Sequence, residues 1–311
     1  MEELYCNISE EIFMIGSIYT SEMKNKLYGD KDMENDISVS RYSSKGPFIS
    51  TCARGIDFVA PGAAITDLPK WNSKNNAICS GTSFAAPNAA GSIACLLSAL
   101  KANKIQYSPA MIKMALANTA FLPKGANKLE FGNGIIQIND AFEFIKKSMN
   151  KLPQKLIFPF LLKQPKQKGI IYVQTDKNNA KPLSKDYTFH IDSTAFNRNN
   201  TKWILKCISN ENKNFVSHSK IVKTNNNSFN VKIDANELKE GSINYAEIQG
   251  FDSLNPTIGP FFHLPITVIC PANPNFYTDN IATINAGPAT HFFSKNFQQN
   301  LLKNVLSKLL L

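Results

Sequence analysis

The stretch Ser80-Gly81-Thr82-Ser83-Phe84-Ala85-Ala86-Pro87 decides how the rest of the chain is read. A Gly-Thr turn delivers Ser83 to the start of a helix in which Ala89, Ala90, Gly91, Ile93, Ala94, Leu96, Leu97, Ala99 and Leu100 put small or apolar groups on every face. Such a helix is expected to be buried on more than one side. At a helix N-terminus the first N–H groups have no intrahelical acceptor and the macrodipole is positive, so negative charge developing beside Ser83 is favoured. A serine so placed suits a nucleophile whose own N–H holds an oxyanion. Pro87 is tolerated in or just past the first turn. The bland reading, in which Thr82 or Ser83 only caps a core helix, stands beside this one.

Two motifs precede the stretch. Tyr42-Ser43-Ser44-Lys45-Gly46-Pro47 comes first, then Phe58-Val59-Ala60-Pro61-Gly62. An S-S-x-G-P turn, an A-P-G turn and G-T-S-x-A-x-P, in that order, resemble the C-terminal half of the catalytic domain of subtilisin-like serine proteases. By that resemblance Ser83 is the nucleophile. Asn88 follows the motif's proline where most of that family carries histidine. The tripeptidyl peptidase II branch is similar at that point. The likeness continues through Ser98–Asn103, Ala115–Ala120 and Gly132–Gln137, and beyond the protease domain through Tyr245–Asp252 and Gly259–Thr267. It covers roughly residues 8 to 293. The resemblance implies a serine peptidase that releases tripeptides from peptide N-termini, a cytoplasmic homo-oligomer acting on peptide substrates, with no cofactor and no metal.

The residues also lack what that chemistry needs. In the family the order along the chain is Asp, His, Ser, so the general base precedes the nucleophile. No histidine precedes Ser83: His190, His218, His263 and His291 all follow it, and are read as strand or loop residues without a catalytic role. The aspartates ahead of Ser83 are Asp30, Asp32, Asp36, Asp57 and Asp67, none in an Asp-Ser/Thr-Gly setting. Asn7 does not stand in the Gly-Asn setting of the family's oxyanion asparagine. The triad's base and acid are thus expected to be absent, and the polypeptide as written to be inactive, because an unactivated serine hydroxyl is a weak nucleophile. The alternative is a non-catalytic subtilase relic serving as an oligomer-contact or interaction protein. A third reading, a secreted subtilase with an adhesive β module, needs a leader that Met1-Glu2-Glu3-Leu4 does not resemble.

Length and composition bound these readings. At 311 residues two domains are expected, and 43% hydrophobic with 10% aromatic residues is ordinary for cores. The net charge of +10 is spread among asparagines instead of forming a stripe, and no zinc or helix-turn-helix pattern occurs, so nucleic acid is not an expected partner. Cys6, Cys52, Cys79, Cys95, Cys207 and Cys270 are widely spaced and read as free thiols. Cys95, inside the Ser83 helix, is expected to be a buried small hydrophobe, and Cys79 to line the wall of the site.

The fold class predicted is α/β, the C-terminal part of a subtilisin-like parallel-sheet domain over residues 1–150, followed by a mostly antiparallel β-sandwich over 151–270. A tail at 271–311 ends in an amphipathic helix from Gln298 to Leu311, too short to span a bilayer. Ile12–Tyr19 and Ile56–Ala60 read as buried strands. Ser108-Pro109 opens a helix carrying Met111, Ile112, Met114, Ala115 and Leu116, and Ile138-Asn139-Asp140 opens another with Ala141, Phe142, Phe144 and Ile145. The sandwich strands are predicted at Ile170–Val173, Tyr187–Ile191, Trp203–Cys207, Ser219–Val222, Ser228–Ile233, Ile243–Gln249 and Phe261–Val268, with Asn225-Asn226-Asn227 as a hairpin turn.

Overall fold

The computed structural model describes residues 12–29, 37–66, 77–174, 184–191, 202–209, 214–223 and 227–271. The predicted tail helix and His291 lie outside the described residues, as do Asn7, Asp30, Asp32, Asp36 and Asp67.

The first part is built on a short sheet. β1 (Ile15–Tyr19) lies between β2 (Ser38–Val39), antiparallel to it, and β3 (Phe58–Pro61), parallel to it. Ile18, Phe58 and Val59 are fully buried, which accounts for the apolar runs in β1 and β3. Helix α1 (Ser21–Tyr28) follows β1, capped by the Thr20 hydroxyl accepting from the Met23 N–H at 3.2 Å and closed by Gly29 in a left-handed conformation. This helix has no counterpart in the sequence reading. β4 (Ala63–Thr66) and β5 (Ala77–Ser80) form a two-stranded antiparallel ribbon that leads into α2 (Thr82–Ala102).

α2 packs on β1, β3 and the later helix α5 (Ile138–Ser148). Its buried residues are Ala85, Ala89, Leu96 and Leu100. The expectation of burial on several sides is not met among the described residues: Ala86, Ala90, Gly91, Ala94 and Cys95 are exposed. Cys95 is therefore corrected from core residue to surface thiol, because it lies on the face turned away from β1 and β3. By length and composition α2 is apolar enough to cross a membrane, yet one face of it is the packing face of this α/β layer.

Helix α3 (Pro109–Thr119) begins where Ser108-Pro109 predicted. The Ser108 hydroxyl accepts from the Met111 N–H at 3.2 Å, and Pro109 occupies a first-turn position whose N–H would have no partner anyway. Met111, Ile112, Met114, Ala115 and Leu116 are all buried. Ser108→Ala should lower stability by about 1 kcal/mol, read as a shift of the urea midpoint at unchanged slope. A single turn, α4 (Lys128–Phe131), precedes α5, whose Ala141 and Ile145 are buried.

From β6 (Pro159–Phe160) onward every described element is a strand except the 3₁₀ turn Pro256–Ile258. A four-stranded sheet runs β10 (Val216–His218), β12 (Ser228–Asp234), β8 (Ser184–Ile191), β6. A five-stranded sheet runs β11 (Ile221–Lys223), β9 (Lys202–Ser209), β13 (Ser242–Asp252), β14 (Pro260–Cys270), β7 (Ile170–Val173). All pairs are antiparallel except β14 with β7. Rings join the sheets: Phe229 of β12 stacks on Phe189 and on Phe262 of β14, and Trp203 of β9 packs edge-on against Phe262 at 5.4 Å.

Asn225 and Asn226, expected in a hairpin turn, lie outside the described residues, and the strands on either side pair in different sheets. Ile221–Lys223 pairs with β9 in one sheet, whereas Ser228–Asp234 pairs with β8 and β10 in the other. Of the predicted strand Ser219–Val222 only Ile221 and Val222 belong to a strand, β11; Ser219 and Lys220 form the crossing from β10 to β11, where Ser219 hydrogen-bonds Asn230.

Candidate functional site

Ser83 lies in the first turn of α2 and is exposed. Gly81 is the cap residue and contributes no side-chain bond; its carbonyl accepts from the N–H groups of Phe84 and Ala85 at 3.0 and 3.4 Å. Pro87 lies inside the helix and supplies no N–H to the Ser83 carbonyl four residues back. The turn thus presents its hydroxyl at a helix end where backbone N–H groups and the dipole favour an anion.

The three motifs meet at one atom. The Gly62 carbonyl accepts from the Gly81 N–H at 2.8 Å and from the Tyr42 hydroxyl at 3.1 Å. A side chain at Gly62 would run into Ser17 Oγ and approach the Gly81 carbonyl, so only glycine fits between the turns. Having spent its proton on Gly62, Tyr42 must accept from Ser17 Oγ, 3.0 Å away, and Ser17 Oγ lies 2.8 Å from Ser40 Oγ. Ser17 and Ser40 are buried. Burial alone would raise the Tyr42 phenol, but its hydrogen bonds to Ser17, Ser40, Tyr19 and Ser80 hold it below the ordinary value. Tyr19, bonded to Tyr28 and Tyr42, is pushed up, first by burial.

No catalytic partner reaches Ser83 among the described residues. His190, His218 and His263 lie on β8, β10 and β14. Asp57, at the entry to β3, accepts from the Met14 N–H at 2.9 Å and pairs with Lys113 at 3.4 Å. Cys79 is half-buried on β5. No cluster of residues able to hold a metal ion occurs among the described residues.

The sequence reading missed a second constellation. Glu247 of β13 is buried, and its carboxylate accepts from Arg54 Nη1 at 3.1 Å, Lys128 Nζ at 2.9 Å, His263 Nδ1 at 2.8 Å, Gln249 Nε2 at 2.9 Å and Tyr245 OH at 2.8 Å. Burial works against its charge, yet His263, Lys128 and Arg54 outweigh burial and hold the carboxyl well below its usual range. Burial, and then the Glu247 charge, push the Tyr245 phenol well up. Arg54 also donates to Asn133 Oδ1 at 3.0 Å and to the Ile56 carbonyl at 3.1 Å. Two cations of the first part are thus fastened to a carboxylate of the strand-rich part. Asn118 of α3 adds bonds to the Ile258 and Pro260 carbonyls, each at 3.2 Å.

Comparison with known proteins agrees with this two-part organisation. Residues 9–135 match the Subtilase family, and residues 158–269 match the first Ig-like domain of tripeptidyl-peptidase II. The chain is 33% identical over 271 residues to tripeptidyl-peptidase 2 of Caenorhabditis elegans, covering 83% of this chain and 19% of that protein. It is 31% identical over 251 residues to tripeptidyl-peptidase 2 of Arabidopsis thaliana, covering 74% of this chain and 17% of that protein. The fold is similar to the crystal structure of tripeptidyl peptidase 2 at a TM-score of 0.60 and 24% identity, over 84% of this chain and 20% of that one. The chain therefore spans about a fifth of the length of the relatives it matches. It carries a subtilase-family segment joined to a tripeptidyl-peptidase II Ig-like domain.

Proposed function

We propose that this chain is the nucleophile-bearing part of a serine peptidase of the tripeptidyl peptidase II type. In this reading Ser83 attacks the scissile carbonyl and its backbone N–H donates to the oxyanion. The observation that carries the proposal is the meeting of the three motifs at the Gly62 carbonyl, with Tyr42 and Gly81 both bonded to it beneath the Ser83 turn. Release of tripeptides from free N-termini, assembly into a homo-oligomer and a cytoplasmic setting go with this reading as properties of the whole enzyme.

No histidine precedes Ser83, and no aspartate or asparagine ahead of it stands in the family's motif setting, so in this reading the isolated polypeptide lacks the triad's base and acid and the oxyanion asparagine. Loss of a triad's base costs on the order of 10⁶ in rate. Incubation of residues 1–311 with a tripeptide-aminocoumarin bearing a free N-terminus should release no fluorophore above the Ser83→Ala variant. Turnover that depends on Ser83 would contradict the incompleteness of the isolated chain, and turnover that survives Ser83→Ala would contradict the nucleophile assignment. The exposed apolar face of α2 favours a second reading, a non-catalytic contact protein. That reading predicts the same silence here but no reactivity at Ser83 of any kind.

A further inference from the structure

The phenol of Tyr42 ties the Ser83 turn to the middle strand of the first sheet. Its O–H donates to the Gly62 carbonyl at 3.1 Å, and the same carbonyl holds the Gly81 N–H at 2.8 Å. Ser80, the residue before Gly81, makes a side-chain hydrogen bond with this phenol and with that of Tyr19. Tyr42 therefore grips the approach to Ser83 at two places. Gly81 caps α2 without a side chain of its own, so the position of the turn is set by the carbonyl to which its N–H is bonded.

Proton counting gives the bonds behind Tyr42 one direction. The phenol has a single proton and commits it to Gly62, so Ser17 Oγ, 3.0 Å away, donates to Tyr42 and is left to accept from Ser40 Oγ at 2.8 Å. Hydroxyls aligned head to tail in this way polarise one another. Ser17 and Ser40 are buried, whereas Tyr42 is 44% exposed, so the chain starts in the core and ends at the surface beside the Ser83 turn. Two further contacts hold Tyr42 in place. The Ser17 N–H donates to Ser43 Oγ at 3.0 Å, fastening the loop that carries Tyr42 to β1, and the Tyr42 ring packs edge-on against Tyr19 at 6.5 Å.

We propose that Tyr42 is a positioning residue for Ser83: through the Gly62 carbonyl and the Ser80 side chain it fixes where the turn holds the Ser83 hydroxyl and N–H. The proposal rests on the reading of Ser83 as the nucleophile. Its physical content is that a reacting group displaced by about 1 Å can lose on the order of 10² in rate, and that the phenol proton is what prevents the displacement here.

Two measurements on residues 1–311 test this. Amide hydrogen exchange at Gly81 reads the geometry without reference to Ser83 chemistry, and fluorophosphonate labelling of Ser83 in the presence of imidazole reads the consequence. Tyr42→Phe keeps the ring and removes the donated proton; it should speed Gly81 exchange by about five- to tenfold, the equivalent of one lost hydrogen bond, and slow Ser83 labelling by about tenfold. Ser17→Ala leaves the Tyr42–Gly62 bond in place and should act in the same direction but less. The double variant should label about as slowly as Tyr42→Phe, because both changes act through one chain. Ser108→Ala, which weakens the distant cap of α3, should leave the labelling rate within about twofold of wild type. Unchanged Gly81 exchange or unchanged labelling in Tyr42→Phe would overturn the proposal, as would equal slowing by Ser108→Ala, which would make Tyr42 a contributor to general stability only. A wild type that does not label at Ser83 would remove the nucleophile reading and this one together, whereas normal wild-type labelling with an indifferent Tyr42→Phe would remove this one alone.

Discussion

Glu247→Ala is expected to destabilise the protein by about 3–5 kcal/mol, the range for removing one partner of a buried ion pair. The loss is large because the carboxylate neutralises more than one cation. Arg54 and Lys128 have side chains only 12% and 13% exposed, and without Glu247 both remain desolvated with no opposing charge. Gln249 and Tyr245 would also lose a buried acceptor. Glu247→Gln keeps the shape and should still lose most of this stability, because the charge is what answers the two cations. By contrast, Arg54→Met, Lys128→Met and Glu247→Leu together should recover much of it, since exchanging a whole buried ionic group for apolar side chains is often neutral or stabilising. Urea melts of the four proteins decide the matter. A Glu247→Ala loss within about 0.5 kcal/mol of wild type, the scale of ordinary surface substitutions, would remove Glu247 from the centre of the interface.

The same group sets a pH dependence. The Glu247 carboxyl is held below its unfolded value, so its contribution is present above that value, about 4.3, and is lost as pH falls through the lower folded value. Stability between pH 5 and neutrality should therefore not depend on Glu247 ionisation. The wild type should weaken below about pH 4 more steeply than the triple apolar variant.

The parts of the fold that were legible in the sequence are those with local signatures. Ser108-Pro109 announces α3 because a capping hydroxyl and a proline at the first turn satisfy or remove the orphan N–H groups of that end. The Ser83 turn was legible for a similar reason, glycine being demanded at Gly62, where the backbone approaches Ser17 and the Gly81 carbonyl closely. What depended on distant partners was not legible. α2 has an apolar composition all round, but composition does not say which faces are covered, and Cys95 proved exposed. The split between β10 and β11 was hidden because both fall in one short polar-and-branched run whose halves pair with different sheets.

Glu247 was overlooked although the signal was present. Tyr245, Glu247 and Gln249 alternate on one face of a strand that is buried along most of its length, and a carboxylate in such a strand requires a cation from elsewhere. The partners lie 193 and 119 residues away, at Arg54 and Lys128, which no local pattern could name. α1 was missed too, although Thr20 and Gly29 bracket it as cap and stop; its apolar content is low and none of its residues is buried.

The second large effect concerns Ser83. Without a base the hydroxyl should react slowly with a fluorophosphonate, and the helix end should still direct what reaction there is to that residue. The measurement that tests the central claim most directly is time-resolved fluorophosphonate labelling of residues 1–311, with and without added imidazole, beside the Ser83→Ala variant. The account predicts slow labelling confined to Ser83, accelerated by imidazole acting as an external base and abolished by Ser83→Ala. Fast labelling of Ser83 without imidazole would show that the chain supplies its own base, and labelling that survives Ser83→Ala would show that Ser83 is not the nucleophile.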